Sequence, residues 1–172
     1  DVSTFGEWPA GRAPGTYAFE RLPSQQADAA SQQLLEDAAN AALLRAGFKP
    51  AAAGAEADVL VQVGARQGRA DRSPWDDPFW WQGGFVGWRH SPWRGPGWGT
   101  AWRVEPARYD REVAVLVRDR ASGKPLYEAH ASSEGYSASP ENVLGPLFDA
   151  ALREFPKVVP QPHTVTLPPS GG

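Results

Sequence analysis

Three runs of this chain alternate between apolar and other residues, and that period of two limits the possible folds more than any other feature. Val59, Val61, Val63 and Ala65 recur in Asp58–Arg66; Val113, Val115 and Val117 in Arg111–Arg120; Tyr127, Ala129 and Ala131 in Pro125–Ser133. Successive side chains of a strand point to opposite faces, so each run predicts a strand with one buried face. Ala121-Ser122-Gly123-Lys124 supplies the turn that makes the last two a hairpin. Thr16–Leu22, with Tyr17 and Phe19 on one face, predicts another strand, stopped by Pro23. Gly99–Tyr109 predicts an edge strand or bulge, because Pro106 interrupts it.

Two stretches change to helical spacing. From Gln25 to Ala46, Leu34, Leu35, Ala38, Ala39, Ala42, Leu43 and Ala46 form an apolar stripe, with Gln33, Glu36, Asp37 and Asn40 on the wet side. Ser24 fits the N-cap and Gly47 a left-handed C-terminal cap. From Ser139 to Phe155, Val143, Leu144, Leu147, Phe148, Ala151, Leu152 and Phe155 form a second stripe. Pro140 suits its first position, whereas Gly145-Pro146 predicts a kink or a shifted start. The expected fold is α/β of the α+β type, a two-layer sandwich. A mostly antiparallel mixed sheet of about four strands carries both helices on one face, in the order β-α-β-insertion-β-β-β-α. Residues 1–156 form one domain, its first fifteen residues an extended lead-in, and residues 157–172 form a proline-rich, extended and partly mobile tail.

The insertion, Ser73 to Trp102, requires its own account. Of the chain's 8 tryptophans it holds Trp75, Trp80, Trp81, Trp88, Trp93, Trp98 and Trp102, separated by glycines and prolines that exclude a regular helix or long strand. Three arrangements remain open. The rings fold back on the uncovered sheet face as a second small core, stand exposed as a platform for a glycan, peptide or protein, or sit in a membrane interface. They are the candidate interaction surface.

Charge and composition narrow the function classes. The formal net charge is −3, so no basic field attracts nucleic acid. No apolar run reaches the length of a membrane-spanning helix. The chain contains neither Met nor Cys. The first absence points to a chain that has lost its initiator, the second suits an oxidising periplasm and leaves no thiol chemistry. An exported protein is the expectation.

The fragments TYAFERLPS, ALLRAGFKP, ADVLVQVGARQ and YDREVAVLVRDRASGKPLYEAHA, in that order, resemble the bacterial putative-lipoprotein family catalogued as domain-of-unknown-function family 4136. The matching positions are Thr16–Phe19, Leu43–Phe48, Asp58–Val63, Trp75–Trp102, Val115–Asp119 and Phe155-Pro156; Leu126-Tyr127-Glu128 departs from it, where the family often has Trp. The resemblance implies a signal peptide and a lipidated cysteine upstream of Asp1, hence a membrane-anchored, periplasmic domain. It implies no catalytic residues and no cofactor.

The residues themselves argue the same way. His90 lies in the insertion, His130 on the strand face opposite Tyr127 and Ala129, and His163 in the tail. None has the spacing of a zinc site or a nucleophile elbow. Asp76-Asp77 and Arg118-Asp119-Arg120 read as solvated turns, and Gly95-Pro96-Gly97-Trp98-Gly99 precedes a predicted strand where a phosphate loop precedes a helix. The expectation is a non-enzymatic envelope lipoprotein domain that binds or supports. A glycan- or peptidoglycan-binding module and an enzyme of unrecognised class are the alternatives.

Overall fold

The computed structural model describes residues 1–69, 109–135 and 141–167. Their elements are β1 (Val2–Gly6), β2 (Thr16–Phe19), α1 (Pro23–Ala27), α2 (Ala29–Arg45), β3 (Lys49–Pro50), β4 (Val59–Arg69), β5 (Tyr109–Asp119), β6 (Pro125–Gly135) and α3 (Glu141–Leu152). The α/β class holds. Among the described residues the sheet has six strands and the helices number three, against the four and two expected.

The strand order is β1-β6-β5-β4-β2-β3. The three alternating runs form its antiparallel centre, with Val61 opposite Val117, Val63 opposite Val115 and Val113 opposite Ala131. β2 pairs parallel with both β4 and β3. Val59, Val61, Val63, Val113, Val115 and Val117 are completely buried, in one core with Ala39, Ala42 and Leu43 of α2 and Leu147, Phe148, Ala151 and Leu152 of α3. Each such side chain contributes about 1.5–3 kcal/mol by leaving water. Both long helices cover one face, as the apolar stripes require.

Four expectations need correction. The lead-in is not featureless, since Val2–Gly6 forms an edge strand whose Val2 pairs with Ala131 and Phe5 with Glu128. The tail is extended but docked as far as Leu167. Val2 and His163 exchange backbone hydrogen bonds of 2.8 and 3.0 Å, and the Thr4 N–H donates to the Val159 carbonyl at 2.9 Å. Those bonds cover the otherwise open edge of β1.

The first helix breaks at Asp28 (φ −119°, ψ 63°), whose carboxylate accepts from the Ser31 N–H and so caps α2; Leu22 occupies the N-cap of α1, where Ser24 was expected. On its wet side Gln33 and Asp37 are exposed as expected, but one residue of each side departs from the pattern. Glu36 is buried, while Leu34 is 61% exposed. The expected C-terminal cap holds, with Gly47 at φ +98°. α3 runs through Pro146 without ending there. Of the predicted strand Gly99–Tyr109, all but Tyr109 lies outside the described residues, as do Ser139 and Pro140.

At the end of the sheet where α2 stops, Trp8 packs edge-on against Phe48 and Phe155, with centroids 5.9 and 4.8 Å apart. Its indole N–H donates to the Arg12 carbonyl at 3.0 Å. Where β2 peels away from β4, Gln25 and Gln32 each donate a side-chain N–H to the Val63 carbonyl, at 3.0 and 3.1 Å. Two helices thereby satisfy a backbone acceptor that has lost its strand partner.

Candidate functional site

The second face of the sheet carries the residues of opposite parity. Register places Ser3, His130, Ala114 and Gly64 in one row across β1, β6, β5 and β4, and Phe5, Glu128, Leu116 and Gln62 in the next. This face is buried too: Ser3, Gln62, Glu128 and His130 are all at most 5% exposed. A sheet face both polar and buried requires its groups to satisfy one another.

His130 is the centre. Its Nε2 lies 2.6 Å from Glu128 Oε1, and its Nδ1 lies 3.6 Å from Glu112 Oε1. Glu112 reaches it from the neighbouring strand, since Glu112 pairs with Ser132 and is therefore diagonal to His130. Arg66 on β4 holds the far side of Glu112, its Nη2 donating to Oε2 at 2.5 Å. Phe5 stands edge-on to the imidazole, 6.0 Å between centroids. Burial works against the imidazolium, but the contacts with Glu112 and Glu128 outweigh it and raise the His130 pKa above its ordinary value of 6.5. Burial likewise pushes Glu112 up; its bonds to His130 and Arg66 prevail and hold it below 4.5. The result is an imidazole between two carboxylates, with a guanidinium balancing one of them.

A second group on this face joins three elements: Glu20 accepts from Gln62 Nε2 at 3.0 Å and from the guanidinium of Arg118.

The sequence-predicted candidates are not brought together. His163 bonds Glu154 at 3.0 Å beside the tail, away from His130. Arg118, Asp119 and Arg120 diverge to Glu20, Arg12 and Glu56. The Asp119 carboxylate accepts from the hydroxyl and N–H of Ser122 and from Arg12, which hold its pKa down to about 2; it organises the hairpin turn. His90, Asp76-Asp77, the Gly95–Gly99 loop and the seven tryptophans from Trp75 to Trp102 lie outside the described residues. Among the described residues no cluster of His, Asp or Glu has an arrangement suited to a metal ion, and no helix is long and apolar enough to cross a membrane.

Sequence reasoning located His130 on the correct face but missed Glu112 and Glu128 as its company. One signal was available. Glu112, Glu128 and His130 share the parity opposite to the valines, so a tight hairpin at residues 121–124 sets them side by side.

Comparison with known proteins adds the following. The family model described as "Domain of unknown function (DUF4136)" matches residues 1–157. Among solved structures, a PDZ domain protein from Parabacteroides distasonis superposes with a TM-score of 0.54 and 11% identity over 93% of this chain, which spans 36% of that protein's length. At that identity the likeness is one of fold. Two crystal structures of a PelC dodecamer from Paraburkholderia phytofirmans match with TM-scores of 0.46 and 0.45, at 13% and 14% identity, each over 88% of this chain and 95% and 94% of that one. No curated protein matched.

Proposed function

The chain belongs to the family described as domain of unknown function DUF4136, and from that premise we propose that it is a non-enzymatic binding or structural domain of the bacterial cell envelope. In this reading it is exported, held at a membrane by a lipid attached upstream of Asp1, and makes its contacts through the tryptophan-rich segment.

One observation carries the reading. β4 and β5 stay paired to their last residues, Arg69 opposite Tyr109, so the segment between them leaves and re-enters the sheet at adjacent points. A sheet with a packed core on one face is a rigid base for such a display. The chemistry of the second face supports the non-enzymatic half. Both ring nitrogens of His130 face carboxylates, an arrangement that stabilises a charge and does not activate a nucleophile.

The test compares the full chain with a variant in which an Asn-Gly turn replaces residues 73–102. Acrylamide quenching reports ring exposure, and titration with peptidoglycan fragments, polysaccharides and lipid vesicles reports binding. The full chain should shift its emission with one of these classes. The shortened chain, keeping Trp8 as an internal probe, should fold and not respond. Equal responses from both chains, or none from the full chain, overturn the proposal. A gene whose start codon precedes Asp1 without a lipidation signal overturns the envelope assignment.

A further inference from the structure

Arg111 opens β5 on the helix-covered face, in the same parity as Val113, Val115 and Val117. It is 5% exposed, and among the described residues its Nε and Nη2 are both buried without an acceptor. Six other arginines each have a carboxylate: Arg12 with Asp119, Arg21 with Glu36, Arg45 with Asp149, Arg66 with Glu112, Arg118 with Glu20 and Arg120 with Glu56. A guanidinium cannot shed its proton in a protein, so burial without a partner leaves a charge whose lost hydration nothing replaces.

The two unsatisfied atoms are informative. Nε–H and Nη2–H point in parallel from one edge of the guanidinium, the edge that forks a carboxylate or phosphate in bidentate pairs. The register partner of Arg111 on β6 is Ser133, half-buried on the same face. Cross-strand partners stand about 5 Å apart at Cβ, which places a hydroxyl on the strand beside Arg111.

We propose that Arg111 and Ser133 form a binding site for an oxyanion, a carboxylate or phosphate group taken bidentately by the Nε and Nη2 edge. The site is independent of the tryptophan-rich segment and stands whether or not that segment binds anything.

The experiment measures the thermal midpoint of the full chain against inorganic phosphate and against acetate, at constant ionic strength held with chloride. Wild type should gain stability as either anion rises, because a ligand bound only by the folded state shifts unfolding by mass action. Arg111→Met should unfold at a higher temperature than wild type in chloride alone, since a buried charge with two unsatisfied donors is replaced by an apolar chain of similar length, and its midpoint should not depend on phosphate or acetate. Arg111→Lys, a point charge without the fork, should respond less than wild type. A wild-type midpoint indifferent to both anions, or an Arg111→Met chain that gains as much as wild type, overturns the site. If Arg111→Met does not fold, broadening of the phosphate resonance by the wild-type chain decides directly. Broadening reversed by acetate supports the site, and its absence overturns it. A response to phosphate alone supports the site with phosphate as the ligand class, and one to acetate alone assigns it to carboxylates.

Discussion

The two faces of this sheet are both buried at its centre and chemically opposite. On the helix side, Val61, Val63, Val115, Val117 and Ala129 meet the apolar stripes of α2 and α3; on the other, His130 meets Glu128 and Gln62 meets Glu20. The same alternation produces both, because each strand presents one parity to each side. Apolar burial is non-directional and roughly proportional to area, so the helix face is stable by sum. A buried charge cluster contributes only while every member is present and correctly protonated. The first face therefore sets how much stability the domain has, and the second sets the conditions under which it keeps it.

The contrast breaks first at Phe148, a completely buried side chain of α3. Phe148→Ala should cost about 3–5 kcal/mol, the transfer free energy of the ring plus the cavity left behind. Urea unfolding measures it, and the loss should be the same on either side of pH 6.5, the ordinary histidine value. A loss that depended strongly on pH there would mean that the two faces are not separable.

The charge cluster should give a smaller and conditional effect. Glu128→Gln keeps the shape of the side chain and removes one of the two carboxylates at His130, at a cost of about 2 kcal/mol. The pH dependence follows from the two shifts. The folded pKa of His130 is raised, so its contribution is fully present below 6.5 and is lost as pH rises through the higher folded value. The folded pKa of Glu112 is lowered, so its contribution is present above 4.5 and is lost as pH falls through the lower folded value. Wild type should therefore be most stable between those values. Glu128→Gln should flatten the loss on the alkaline side, and a profile as steep as wild type would remove His130 from the account.

What the sequence disclosed follows the same division. The valine runs of β4 and β5, the hairpin into β6 and the stripe of α3 were legible because local periodicity and burial agree there. β1 was not. Ser3 and Thr4 read as loop residues, and what buries them is remote: Ala129 and His130 pair with them, and the Thr4 hydroxyl accepts from the Val159 N–H at 2.6 Å. The burial of the polar second face was not legible, since nothing in an alternating pattern distinguishes a polar residue facing water from one facing its counter-charge. Within the site, His130 was placed on its strand face; its carboxylates came from register across two strands, which no single run contains.

The smallest effect separates these ideas within a single helix. Apolar spacing assigns Leu34 to the core side of α2 and Glu36 to water, yet Leu34 is 61% exposed and Glu36 is 4% exposed. Glu36 is turned in because Arg21, just beyond β2, donates to both its oxygens, Nε to Oε1 and Nη2 to Oε2, each at 2.7 Å. The break at Asp28 restarts the helix, and Gln32, four residues before Glu36, reaches the Val63 carbonyl from the same face, while Ala39, Ala42 and Leu43 of the stripe stay buried. Leu34→Gln should accordingly leave stability within about 0.5 kcal/mol. Glu36→Gln, which loses the charge from a forked pair that Arg21 keeps partly in solvent, should cost about 1 kcal/mol. Urea unfolding of the two variants side by side decides. If Leu34→Gln proves the costlier, the first turns of α2 pack on Leu34 and not on Glu36, and burial of polar groups is confined to the far face of the sheet.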